Sequence, residues 1–131
     1  MREIKFQGIS INTKDWITGS LVYSPKEDQY YLLEHCGEEL SFPVHKNTVR
    51  QFTNLHDKNG KEIYEGDIVK CTLMFETIEL IYSEIVWNNG GFEIKTNGKI
   101  CGALTSGVIE KGAFEVAGNI HNNPELLEVG K

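Results

Sequence analysis

The sequence predicts a mainly β chain, folded as a barrel or a sandwich. Three observations predict it. Asn-Gly occurs at Asn59-Gly60, Asn89-Gly90 and Asn97-Gly98, and both residues tolerate the positive φ that tight hairpin turns require. The apolar pattern around these turns has period two. Helix signals are few and gather at the C-terminal end.

The elements follow in order. In REIKF, Ile4 and Phe6 face together against Glu3 and Lys5, which predicts a strand over 2–7. The same reasoning predicts strands over 20–24, 29–35, 50–56 and 61–64. In DIVKCTLM, Val69, Cys71 and Leu73 share one face of a strand over 67–75, and further strands are expected over 79–87 and 91–96. The segment KICGALTSGVIEKG reads equally as strand or irregular loop. In AFEVAGNI, Phe114, Val116, Gly118 and Ile120 share one face of a strand over 113–121, with Glu115 and Asn119 pointing away. At the end, NNPELLEV offers Asn123 as N-cap, Pro124 at the first helical position and Glu125 in the first turn, a helix of about two turns at most. A soft division falls near 46–50, where HKNT forms a polar connection after Phe42-Pro43-Val44.

Composition narrows the function. The 131 residues are 40% apolar and 24% charged, the balance of a folded globular chain. No stretch approaches the roughly 18 apolar residues of a membrane span, and MREIKFQGISINTK carries charges in place of an apolar leader core. A cytoplasmic protein is therefore expected. Net charge is −6, and residues 51–131 hold seven Lys or Arg against twelve Asp or Glu. That field repels a phosphate backbone, which counts against nucleic acid as partner. Cys36, Cys71 and Cys101 are widely spaced and odd in number, so small apolar residues in strands are expected rather than a disulfide framework or a zinc site.

The densest stretch is QFTNLHDKNGKEIYEGDIV, Gln51 to Val69. Two hairpin registers are available. With Asn59 and Gly60 central, Lys58 faces Lys61, which is unfavourable. With Lys58 and Asn59 central and Gly60 in a left-handed bulge, Asp57 faces Lys61 and Leu55 faces Ile63. The second is predicted: a type I turn with a Gly60 bulge. Gly66 then reverses the chain, with Asp67 bonding backbone N–H groups at that turn. Asp57, Asn59, Gly60, Lys61, Gly66 and Asp67 are thus read as a structural motif.

This stretch resembles the signature of the YopX family, small proteins of bacteriophages and prophages. REIKF, the spaced Trp16, Gly19 and Leu21, the pair Thr48-Val49, and GNIHNNPELLE extend the resemblance to both ends. Residues 25–47 and 98–112 carry none of it, and HKNT departs from a more acidic lead-in. The resemblance implies an SH3-like β-barrel, which with the strand reading gives a barrel over 50–131, an additional N-terminal β region over 1–49 packed on it and a short C-terminal helical turn, as one compact unit or as two small β lobes. It implies a phage or prophage source and expression inside a bacterium. It supplies no catalytic residue.

Direct inspection supplies none either. His35, His45, His56 and His121 lack the spacing of paired metal ligands, and His35 and Cys36 alternate to opposite faces of a strand. The series Asp57, Asn59, Lys61 places a cation where a calcium loop needs oxygen. Ser106 lacks the frame of a nucleophile elbow, and no phosphate-binding glycine loop is present. A carboxylate pair drawn from Glu62, Glu65 and Asp67 reads as solvated turn residues. No cofactor, metal or catalytic activity is expected. Aromatic residues at turns and strand ends remain: Trp16, Tyr64 and Trp87 form the candidate binding surface, with Tyr82 and Phe92 nearby, and core filling is the competing role for Trp87 and Phe92. The expected function is a non-catalytic module engaging a host or phage protein. A nucleic-acid-binding accessory protein and a small hydrolase or nuclease are the alternatives, and sheet edges offer a route to homo-oligomers.

Overall fold

The computed structural model describes residues 2–35, 39–74 and 78–128. The chain divides into two units, Met1–Phe52 and Thr53–Lys131. The strand pairings are antiparallel throughout.

The first unit holds β1 (Phe6–Ile9), β2 (Trp16–Ser24), β3 (Gln29–His35), β4 (Glu39–Val44), a 3₁₀ turn over Lys46–Thr48 and the start of β5 (Arg50–His56). Their order is β4-β3-β2-β1-β5. Period two places Ile17, Leu32 and Val44 in a buried cluster with Phe6, Leu21, Tyr30, Phe42 and Val49 against it. Each fully buried aliphatic side chain contributes about 1.5–3 kcal/mol. Gly8 faces Leu32 and Val44, where an added Cβ would lie 3.1 Å from Val44 Cβ. The strand expected over 2–7 begins later, at Phe6, where pairing with Gly19 begins, and Ile4 is 61% exposed. β4 was not expected. Its Pro43 cannot donate to a ladder, and the strand tolerates it by lying at the sheet edge.

The second unit holds the rest of β5, then β6 (Glu62–Tyr64), β7 (Asp67–Met74), β8 (Ile78–Asn88), β9 (Gly91–Thr96), β10 (Lys99–Ala103), α1 (Ser106–Gly112), β11 (Glu115–Asn119) and a 3₁₀ turn over Pro124–Glu128. β6 pairs with β5, and five strands run in the order β10-β9-β8-β7-β11. The SH3-like β-barrel is therefore not present as a closed barrel. Among the described residues no ladder joins the end strands β10 and β11, so the sheet stays open. Ile63, Val69, Cys71, Ile85, Ile94, Leu104, Ile109 and Phe114 form the core.

The Asn-Gly turns behave as expected. Asn89 and Gly90 both have positive φ, as do Asn97 and Gly98, and they close two-residue hairpins at Asn88↔Gly91 and Thr96↔Lys99. At the third, the Gly60 N–H donates to Asp57 O at 3.0 Å and the Asp57 N–H to Lys61 O at 2.8 Å, while Gly60 has φ 82°. This is the bulged register. Gly66 has φ 83°; its N–H donates to Ile85 O at 2.7 Å and its carbonyl accepts from the Ile120 N–H at 2.9 Å. Gly66→Val is expected to destabilise by about 2 kcal/mol and Gly60→Val by about 1, because a β-branched residue resists left-handed backbone. Urea midpoints check this; parental midpoints in both variants would contradict these turn conformations.

Three further expectations change. KICGALTSGVIEKG supplies β10 and α1, with Thr105 Oγ1 capping the Val108 N–H at 3.2 Å. In β11 the register shifts between Val116 and Gly118. Phe114 and Val116 therefore reach the core, but beyond the bulge Asn119 turns inward and is buried. Its Oδ1 accepts the His121 and Asn122 N–H groups at 3.0 and 2.9 Å. The terminal turn is 3₁₀, and the Asn123 side chain reaches back to accept the Asn119 N–H at 3.3 Å.

Candidate functional site

The charge-dense stretch resolves into backbone capping. Asp57 is buried. Its Oδ1 accepts the Asn59 and Lys61 N–H groups, each at 2.9 Å, and its Oδ2 accepts the Val116 N–H at 2.9 Å. Burial pushes this carboxyl up, but the hydrogen bonds from Val116, Lys61 and Asn59, with the Lys61 charge, prevail and hold it below its ordinary value. Three N–H donors thus converge on the carboxylate and favour its ionised form, the arrangement of a backbone cap. Asn59, Gly60 and Lys61 are exposed on the turn. Asp67, also buried, accepts the Tyr64 N–H at 2.7 Å through Oδ2 and so ties the Gly66 turn.

Tyr64 and Trp87, both in the second unit, do not share one surface. Tyr64 is 3% exposed, with its hydroxyl donating to Glu62 Oε1 at 3.3 Å, so it is not a surface residue. It alternates with Ile63 on a three-residue strand whose two faces are both covered. Trp16 belongs to the first unit. It is half-buried beneath the Arg50 guanidinium, 4.3 Å from the ring centroid, a cation–π contact. Arg50 in turn donates from Nε and Nη2 to Gln7 Oε1 at 3.0 and 2.7 Å. Trp87 belongs to the second unit. It is 53% exposed and meets the edge of Phe92 at 5.0 Å with 73° between the rings. Core filling thus describes Phe92, which packs against the buried cluster, and not Trp87.

One feature was missed from sequence. Asn54, Leu55, His56, Asp57 and Lys58 face Ser106, Ile109, Glu110 and Ala113 across an open groove of about 520 Å³. It was missed because α1, which forms one wall, has only seven residues and contains two glycines. Thr105 ahead of Val108-Ile109, with Lys111-Gly112 closing, was the available signal. Two lining residues carry left-handed backbone without being glycine: Asn54 at φ 66° and Ala113 at φ 49°. Asn tolerates that conformation through its short polar side chain, and at Ala113 it is the end of α1, where the cap N–H donates to the Glu110 and Ile109 carbonyls.

The two described cysteines differ in their surroundings. Cys71 is buried in β7, where burial pushes its thiol up against a smaller lowering by Ser83. Cys101 lies exposed in β10 rather than packed as an apolar residue. Cys36, and the side chain of His35 beside it, lie outside the described residues. Among the described residues no group of three or more His, Cys, Asp or Glu could hold a metal ion, and no helix is long and apolar enough to cross a membrane.

Fold and site define a class: a small antiparallel β protein of two units whose densest motif is a pair of carboxylate-capped turns. The chain belongs to the YopX family, whose model, described as YopX protein, matches residues 5–128. It is similar to a crystal structure of protein EF1440 from Enterococcus faecalis, with 22% identity, a TM-score of 0.62, and coverage of 97% of this chain and 99% of that one. At that identity the likeness shows the fold alone. Comparison with curated proteins finds no match.

Proposed function

We propose that the chain is a non-catalytic binding module of phage or prophage origin, acting in the bacterial cytoplasm on a host or phage protein. Trp87 carries this reading. A large aromatic side chain is held half-exposed on a β-hairpin, its ring set by the edge of Phe92. Tryptophans presented in this way are the residues that most often dominate protein interfaces. With the reading goes the SH3-like description of the second unit, as an arrangement left open between β10 and β11.

Pull-down from host lysate, with bound proteins identified by mass spectrometry, tests it. The wild-type chain retains a specific protein, and Trp87→Ala reduces the amount about tenfold, the loss of a typical interface anchor. Retention of nothing beyond a tag control, or equal retention by both chains, defeats the proposal.

A further inference from the structure

The three Asn-Gly pairs are alike in exposure and differ in how the backbone holds them. Both residues of each pair are exposed, and a Cβ added at Gly60, Gly90 or Gly98 would meet nothing within 4 Å. At Asn59-Gly60 the linking peptide is locked. The Gly60 N–H donates to Asp57 O at 3.0 Å, and Asp57 Oδ1 accepts the Asn59 and Lys61 N–H groups at 2.9 Å each. Asn89-Gly90 and Asn97-Gly98 instead fill two-residue hairpins closed at Asn88↔Gly91 and Thr96↔Lys99. Among the described residues, no backbone carbonyl accepts the Gly90 or Gly98 N–H. Asn89 and Asn97 have φ of 50° and 51°. Types I′ and II′, the two turns that such hairpins favour, share a positive φ at this position. They differ by a flip of the central peptide, which glycine in second place permits.

From this contrast we infer that Asn89 and Asn97 are sites of spontaneous backbone modification in the folded chain, through succinimide formation, and that the Asp57 cap protects Asn59 from it. The glycine nitrogen attacks the asparagine Cγ. A C–N bond forms, the Cγ–Nδ2 bond breaks, and the amide proton leaves with ammonia. The five-membered ring brings the asparagine Cβ and the glycine nitrogen nearly eclipsed about the Cα–C bond. For an L residue this sets ψ at about −120°, the value that type II′ gives to the first turn residue. The ring therefore fits each two-residue hairpin after a peptide flip, with the strand pairing kept. At Asn59 the same rotation pulls the Gly60 N–H off Asp57 O, and Asn59 is not among the residues of positive φ. Water then opens the ring. Attack at the α-carbonyl gives isoaspartate, with one more carbon in the main chain, and attack at Cγ gives aspartate. Either product carries a new carboxylate, and water is the one co-reactant. At Asn89 the added carbon enters the hairpin that carries Trp87 and Phe92.

Peptide mass spectrometry of the full chain, kept folded at mildly alkaline pH and sampled over time, tests the inference. Each conversion exchanges NH₂ for OH, a gain of about 1 Da. Asn89 and Asn97 each convert at least about fivefold faster than Asn59, the factor for one hydrogen bond that must break first. In concentrated guanidinium chloride the three rates come together, because the dipeptide is the same at each site. Either hairpin asparagine converting no faster than Asn59 in the folded chain would overturn the inference. So would a difference that persists in the denaturant, since flanking sequence and not the fold would then set it.

Discussion

Gly19→Ala is expected to produce the largest loss of stability of any single methyl addition in the first unit. Gly19 pairs with Phe6 of β1, and its other side lies against β3. A Cβ built there would sit 2.1 Å from Leu33 O and 2.8 Å from Leu33 C. Both are backbone atoms of a strand paired on two sides, so neither can swing away as a side chain does. β2 and β3 must separate or slip, and a one-residue slip exchanges the faces of Leu21 and Leu32. The expected destabilisation is about 3 kcal/mol or more, at the upper end for overpacking. Urea denaturation measures it, and a loss below about 1 kcal/mol would mean that the two strands do not approach as described. Gly118, whose added Cβ would meet the Asn123 side chain at 2.3 Å, makes a useful comparison. The Asn123 Oδ1 and Cγ can rotate away, at the cost of the hydrogen bond from the Asn119 N–H, while the Asn123 Cβ at 2.8 Å must move with the backbone.

Asp57→Ala is the second. Removing the carboxylate strands the Asn59, Lys61 and Val116 N–H groups. Hydrogen bonds to a charged acceptor each contribute about 1.5–3 kcal/mol, but they share one side chain and do not add fully, so about 3–4 kcal/mol is expected. For a chain of this size that lowers the melting temperature by about 10–20 °C. Asp57→Asn keeps the shape and loses the charge, and its amide NH₂ must face an N–H donor; about 2 kcal/mol is expected. The two carboxyl states also set a pH dependence. The folded carboxyl lies below its ordinary value of 3.8. Its contribution is therefore complete above the unfolded value and is lost as pH falls through the folded one. The gap between wild type and Asp57→Asn should stay constant from neutral pH down to about 5 and shrink below about 4. A gap that widens in acid would reverse the assignment.

What the sequence disclosed and what it concealed separate along the range of the interactions. The hairpins at Asn59-Gly60, Asn89-Gly90 and Asn97-Gly98 were legible because turn chemistry is local and the pairing of Asp57 with Lys61 chooses a register within five residues. The burial of Asp57 was not legible, because the third donor, Val116, lies 59 residues away. β4 was hidden by Pro43, which reads as a strand breaker until the strand is known to be an edge. The inward turn of Asn119 was hidden by the bulge before Gly118, since one extra residue inverts every later assignment of faces. Tyr64 and Trp87 look alike as aromatics near turns. Only the packing of Ile63, Ile68 and Ile85 around the Gly66 reversal, all fully buried, separates the core residue from the surface one. The groove required α1, whose seven residues are too few for periodicity to announce.

The most direct test of whether the charge-dense stretch is geometry or chemistry is an NMR titration of the Asp57 carboxyl carbon in the folded chain. A backbone cap with three N–H donors titrates below 3.8. A midpoint above that value would mean that burial outweighs the hydrogen bonds, and that Asp57 is held as a protonatable acid in the middle of the motif rather than as its anchor.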